Sequence, residues 1–280
     1  MMNELVQTGS DPIMLSSSEF ASIRRIMSDR CGICFPEGKE TLIQSRLAKR
    51  LRALSCTSYR QYLAYLDRDS SGEELGMMID ALTTNKTSFF RESHHFEFIR
   101  SRLVPTFQNL RSGIRLWSAG CSTGEEPYSL AVLLSEKLPE ERRKQCLILA
   151  TDISHRVLAT ASAAIYSEDA LQGSEASLLK KHMVSVQKKP TQLYRIGDQE
   201  RAMVRFAYLN LADSWPMRGP FDAIFCRNVM IYFDAETRKR LVRRFWEKVK
   251  PGGYLFVGHS ESLGAGSREF RYVEPAIYMK

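Results

Sequence analysis

The hydrophobic period changes once along this chain, near residue 110, and that switch limits the fold more than any other feature. From Glu19 to about Leu82 the apolar residues recur at helical spacing. FASIRRIM, LIQSRLAKRLRAL, YRQYLAYL and ELGMMIDAL read as four short helices separated by Gly, Pro or Ser. Beyond residue 110 short apolar runs alternate with helical ones. IRLWSAG, CLILATD, FDAIFC and YLFVGHS read as strands. EEPYSLAVLLSEKL, SHRVLATASAAIY and ETRKRLVRRFWEKV read as the helices between them, the last stopped by Pro251-Gly252-Gly253. Such alternation predicts an α/β domain with a mainly parallel sheet covered on both faces, preceded by an all-α N-terminal domain.

The 280 residues suffice for two domains of ordinary size. Residues 1–17 are small and polar and read as a disordered arm, 18–82 as the helical domain, 83–110 as a connector and 111–280 as the sheet domain. Residues 166–206 break the alternation. SEASLLKKHM is helical there, and QLYRI and MVRFAYL flank Gly197-Asp198, which suggests a small antiparallel β insertion. At 44% hydrophobic and 26% charged, the composition excludes a disordered chain. No apolar stretch approaches the ~20 residues of a membrane span, and the N-terminus lacks the basic start and apolar core of a secretory signal. Six scattered cysteines suit a reducing compartment, so a cytoplasmic protein without membrane insertion is expected. Cys31 and Cys34 have no second pair and read as packing residues.

In WSAGCSTGEEPYSLA a strand runs through a turn holding Gly120 and Gly124 into a helix that opens with Glu125 and Glu126. Glycines let a backbone approach a ligand closely. A P-loop would need Gly-Lys-Ser/Thr here, and the lysine is missing. Two carboxylates in the first helical turn suit the helix dipole and would repel a pyrophosphate. A nucleotide-like ligand with positive charge and no phosphate fits better. S-adenosylmethionine, a sulfonium with an ammonium, has that chemistry, and the turn points to methyl transfer. Asp152 ends the second strand, where a carboxylate can accept hydrogen bonds from both ribose hydroxyls. Asn210, Leu211, Asn228 and Val229 also fall at carboxyl ends of strands, the side on which open α/β sheets bind ligands.

The chain resembles the CheR-type chemotaxis receptor methyltransferases from about residue 20 onward. The stretches that show it are Asn85-Lys86-Thr87, Phe89-Phe90-Arg91-Glu92, His94-His95-Phe96, Trp117-Ser118-Ala119 through Glu125-Glu126-Pro127-Tyr128, and Cys226-Arg227-Asn228-Val229-Met230-Ile231-Tyr232-Phe233. Gly258-His259-Ser260-Glu261 adds to them. The resemblance implies a class I Rossmann-like methyltransferase sheet behind a helical domain. It also implies methyl transfer from S-adenosylmethionine to glutamates in the cytoplasmic helices of chemoreceptors, forming methyl esters. Matching positions imply cofactor contacts at Asn85, Thr87, Arg91, Glu126, Asp152, Asn210, Leu211, Asn228 and Val229. No metal is expected.

A glutamate with a pKa of ~4.3 is already ionised at neutral pH, so no strong general base is required. Alignment and partial desolvation are what the protein must supply. Arg91, able to pair with a carboxylate, and Tyr232, able to orient the nucleophile, are the candidate catalytic residues. On the substrate side, residues 20–66 hold nine bases and three acids, +6 of the total +8. Within 39–54, Ile43, Leu47, Leu51 and Leu54 share one helix face, with Lys39, Arg46, Lys49 and Arg50 in a stripe beside it. Such a stripe would steer an acidic receptor helix, and a plain solvated face is the alternative. The pI near 9.2 also raises nucleic acid as a substrate, but no stacking aromatics sit among the bases, and no Asn/Asp-Pro-Pro-aromatic motif occurs at 227–230. A non-catalytic receptor-binding module is a third reading, disfavoured by the intact Arg91, Glu126 and Asp152.

Some relatives dock on a C-terminal receptor pentapeptide through a glycine-rich loop of the β insertion. The corresponding loop here, Ser185 to Gln192, has no glycine, which favours a tether-independent enzyme. The expected state is a monomer, with room for a regulatory protein.

Overall fold

The computed structural model describes residues 13–110, 112–263 and 269–280. It divides into two compact units: residues through Asp29 with Cys34–Thr83, and Arg30–Ile33 with Thr84–Lys280.

The first unit holds α1 (Ser17–Cys31), whose last residues count with the second unit, α2 (Glu40–Ala53), α3 (Tyr59–Arg68) and α4 (Glu73–Leu82). Of the expected arm, residues 1–12 lie outside the described residues. Leu15 is buried, and Ser16 and Glu19 bond each other's backbone N–H, a reciprocal cap at the start of α1. Ser58 caps α3 by accepting from the Gln61 amide at 3.2 Å. Ile43, Leu47 and Leu51 form the buried stripe of α2, as their spacing predicts. Tyr59 and Tyr62 are fully buried and pack the first unit's core.

In the second unit the connector is helical: α5 (Ser93–Phe98), a π-helical turn over Ile99–Leu103, and α6 (Val104–Asn109). The sheet region then runs β1 (Ile114–Ala119), α7 (Glu125–Lys137), α8 (Glu140–Arg143), β2 (Cys146–Asp152), α9 (His155–Ala163), β3 (Ile165–Ser167), α10 (Ala176–Lys181), β4 (Met183–Gln187) and β5 (Leu193–Ile196). It ends with α11 (Asp198–Met203), β6 (Val204–Tyr208), β7 (Phe221–Cys226), α12 (Ala235–Lys248), β8 (Val249–Val257), β9 (Arg271–Glu274) and β10 (Ile277–Met279). The main sheet has the order β6-β2-β1-β7-β8-β10-β9, parallel from β6 to β8, with β10 antiparallel to both its neighbours. Every residue of β7 is buried, as a central parallel strand requires. The chain steps outward from β1 to β2 and β6, then crosses to β7. The switch point between β1 and β7 therefore opens a crevice at their carboxyl ends.

Four local readings change. The small antiparallel sheet is β3-β5-β4, spanning 165–196, and MVRFAYL is not part of it. Gly197-Asp198 does not turn a hairpin. Asp198 opens α11, and this helix returns the chain so that β6 pairs parallel with β2. Ala164, at φ +56, ends α9 and frees Ile165–Ser167 to be the third small strand instead of more helix. Pro251-Gly252-Gly253 does not stop α12, which ends at Lys248. It lies in a bulge of β8, where the pairing jumps from Phe221↔Val249 to Ala223↔Tyr254. The closing hairpin of β9 and β10 has strands of only four and three residues, too short to carry a period in the sequence.

Candidate functional site

The crevice is lined first by the glycine turn. Gly120 and Cys121 donate to the Thr151 carbonyl of β2 at 2.8 and 2.9 Å, which holds the turn against the neighbouring strand. Gly120 has φ +84, and a Cβ there would strike Val229 in the loop after β7. Gly124 has φ +97, and a Cβ there would meet Ala161 and the Tyr166 hydroxyl, both at 2.9 Å. Both positions therefore require glycine on conformation and on space.

Asp152 orients the turn from β2. Its Oδ2 accepts from the Ser122 amide at 2.8 Å and its Oδ1 from the Ser154 amide at 3.0 Å. The Ser122 hydroxyl donates to the Asn85 carbonyl at 2.9 Å, so the connector is tied to the same turn. Asn210 also acts structurally: its amide donates to the Arg30 carbonyl at 2.6 Å and its Oδ1 accepts from Ala212. Leu211 is buried beside it. Thr87 and Tyr232 are half-buried, Tyr232 closing a 3-10 turn over Met230–Tyr232. The Arg91 guanidinium donates to the Lys86 carbonyl at 2.9 Å.

The most consequential group is one to which the sequence reading assigned no role. Arg227, buried directly after β7, reaches Glu126 Oε2 at 3.0 Å, Glu92 Oε2 at 3.2 Å and the Arg91 carbonyl. Glu126 also accepts from the Ser118 hydroxyl at 2.6 Å. One planar guanidinium thus fastens the Arg91 segment, the start of α7 and the end of β7 together. A charge placed immediately after the apolar run FDAIFC was the available signal, because a buried arginine must find carboxylates.

His95 is fully buried beside this network, its Nδ1 3.5 Å from Glu92 Oε2 and neither ring nitrogen hydrogen-bonded. Burial, then the Arg227 charge, pulls its pKa down to about 2, so the ring is neutral. His94 points elsewhere, to the Pro275 carbonyl and to His259. Burial raises the Glu125 carboxyl, and the buried Cys226 and Cys121 thiols are pushed well above the usual thiol range, which makes them poor nucleophiles. Among the described residues no cluster of three or more potential ligands could hold a metal.

The four bases of the substrate stripe have different fates within the helical unit. Arg50 forks onto Glu74, which also accepts from Tyr62 at 2.8 Å, and Arg46 donates to the Leu82 carbonyl at 2.5 Å. Lys39 and Lys49 are exposed.

Sheet order, glycine turn and strand-end acids define an α/β methyltransferase. The family model described as "CheR methyltransferase, SAM binding domain" matches residues 85–279, and "CheR methyltransferase, all-alpha domain" matches 18–83. The chain belongs to the CheR methyltransferase family. A chemotaxis protein methyltransferase of Klebsiella aerogenes is 40% identical over 94% of this chain and 90% of its own length. Those of Borreliella burgdorferi and Escherichia coli K12 are each 38% identical over 96% of this chain, covering 96% and 93% of their own lengths. Among solved structures, PKMT2 from Rickettsia typhi aligns over 62% of this chain and 26% of that chain, at 15% identity and a TM-score of 0.38. The protein is thus a methyltransferase with an S-adenosylmethionine-binding domain, and no helix among its described residues is long and apolar enough to cross a membrane.

Proposed function

We propose that this protein methylates glutamate side chains in the cytoplasmic helices of chemoreceptors. The observation that supports it most is the CheR match over both parts of the chain, joined to a crevice whose fixed carboxylates suit a cationic methyl donor. S-adenosylmethionine supplies an electrophilic methyl group when bound.

This chain's residues would hold that donor at the positions named from the sequence. Gly120 gives close backbone approach. Glu126, oriented by Ser118 and Arg227, offers negative charge for an ammonium. Asp152, fixed by two backbone amides, would accept from the ribose hydroxyls, and Asn85, Thr87, Asn210, Leu211, Asn228 and Val229 would line the remainder. The acceptor glutamate oxygen forms the bond to the methyl carbon while the carbon–sulfur bond breaks and its electron pair stays on sulfur. No proton moves. Arg91 and Tyr232 orient the carboxylate, and the exclusion of water strengthens that alignment. Lys39 and Lys49 meet the acidic receptor helix directly, while Arg46 and Arg50 add background field from bonded positions. Binding needs no receptor pentapeptide, and a micromolar dissociation constant for such a peptide would overturn that part.

The test uses methyl-labelled S-adenosylmethionine and receptor-bearing membranes, followed by mild alkali. Volatile labelled methanol, lost in Asp152→Ala, supports carboxyl methylation. Label that resists alkali would move the acceptor to nitrogen or carbon and reject the proposal.

A further inference from the structure

Glu261 follows β8 and is only 7% exposed, yet no step of the reaction above uses it. Its carboxylate is engaged on both oxygens by backbone. Oε2 accepts from the amides of Asn228 at 2.7 Å and Gly258 at 2.5 Å, and Oε1 accepts from the Ile231 amide at 3.1 Å. Charge-assisted bonds of this kind are about twice as strong as neutral ones. They converge on a strained segment. Asn228 sits at φ +59, in the left-handed region that disfavours side chains. Val229 follows and covers Gly120, and the Tyr232 amide then bonds the Val229 carbonyl at 3.2 Å. Gly258 leaves the room that both side chains need: a Cβ there would strike the Asn228 side-chain amide first, and would lie 2.8 Å from Glu261 Oε2 and 2.9 Å from the Asn228 backbone nitrogen.

We infer that Glu261 is a positioning residue for the methyl donor, holding Asn228–Tyr232 in the one backbone path that presents Asn228 and Val229 to the crevice. It acts through those residues and touches no reacting atom. The inference rests on the donor-site reading proposed above. A neutral amide of the same size could not replace it, because its nitrogen would turn hydrogens toward backbone N–H groups that need an acceptor.

The experiment compares wild type with Glu261→Gln, and with Gly258→Ala, which crowds both this carboxylate and the Asn228 side chain beside it. S-adenosylhomocysteine binding is followed by calorimetry, methyl transfer to receptor membranes by kinetics, and local order by amide hydrogen exchange. Both variants should weaken S-adenosylhomocysteine and raise the donor KM about tenfold, equal to ~1.4 kcal/mol, with the receptor KM within about twofold. Exchange should quicken at residues 228, 231 and 258 while β1 and β2 stay protected. Fast exchange at those amides with unchanged S-adenosylhomocysteine affinity would overturn the inference. So would protection lost across β1 and β2 with both KM values rising together, which is the mark of a purely structural residue. A wild-type protein that binds no S-adenosylhomocysteine would reject the donor-site reading itself, whatever the three amides do.

Discussion

Each unit contains an arginine–glutamate knot, and the two knots serve different ends. In the helical unit Arg50 and Tyr62 converge on Glu74, tying α2 and α3 to the first turn of α4. All of its members come from one helical bundle, and its charge is consumed internally. In the sheet unit Arg227 joins Glu92, Glu126 and the Arg91 carbonyl, three segments that meet only at the crevice. A buried ion pair often adds little net stability over an apolar substitute, but it specifies geometry where several segments must share one arrangement. The first knot closes a fold, and the second shapes a site.

Arg227→Ala should break this contrast most severely. It leaves two acids in a buried place without their cation, and the expected loss is ~3–5 kcal/mol by denaturant unfolding, together with lost S-adenosylhomocysteine binding. Arg227→Lys keeps the charge without the fork, so it should recover more stability than donor affinity.

Acid should separate the units next. All five histidines lie beyond residue 83, and the helical unit has none. His95 has a folded pKa pulled down to about 2 from an unfolded value near 6.5, so its neutral form favours folding. That contribution is complete above pH ~6.5 and shrinks as pH falls through the interval between the two values, by about 1.4 kcal/mol per pH unit. Unfolding measured by sheet-unit probes between pH 7 and 5 should show this slope, and His95→Leu should flatten it.

Arg50→Ala should cost the helical unit about 2–3 kcal/mol, the worth of hydrogen bonds to a charged group. S-adenosylhomocysteine affinity should not change, and a fall comparable to that of Arg227→Ala would erase the distinction between the knots. Lys49→Ala is the mildest case: stability within about 0.5 kcal/mol, with a receptor KM that rises most at low salt.

Much of the site was legible because glycines and strand-end polar residues announce themselves. Gly120, Asp152 and Asn228 could be placed by counting outward from apolar strands, and all three meet at the crevice. Arg227, Glu92 and Glu261 could not be given roles that way, since their partners stand 135, 101 and 33 residues off in sequence. Periodicity also failed at short elements. β3 looks like the tail of α9, and β6 like half of a hairpin, because three to five residues do not contain enough of a period to separate helix from strand.

The amino-acid order by itself determined the helical segment, the alternation of strand and helix, and the glycine turn, since each depends on local sterics and on the apolar spacing of neighbours. Tertiary structure alone decided that β6 joins the main sheet, that Arg46 and Arg50 turn inward to bond α4, and that one buried guanidinium and one buried carboxylate set the path around the crevice. Those outcomes depend on which distant charges share a desolvated space, and a linear pattern does not encode which ones will meet.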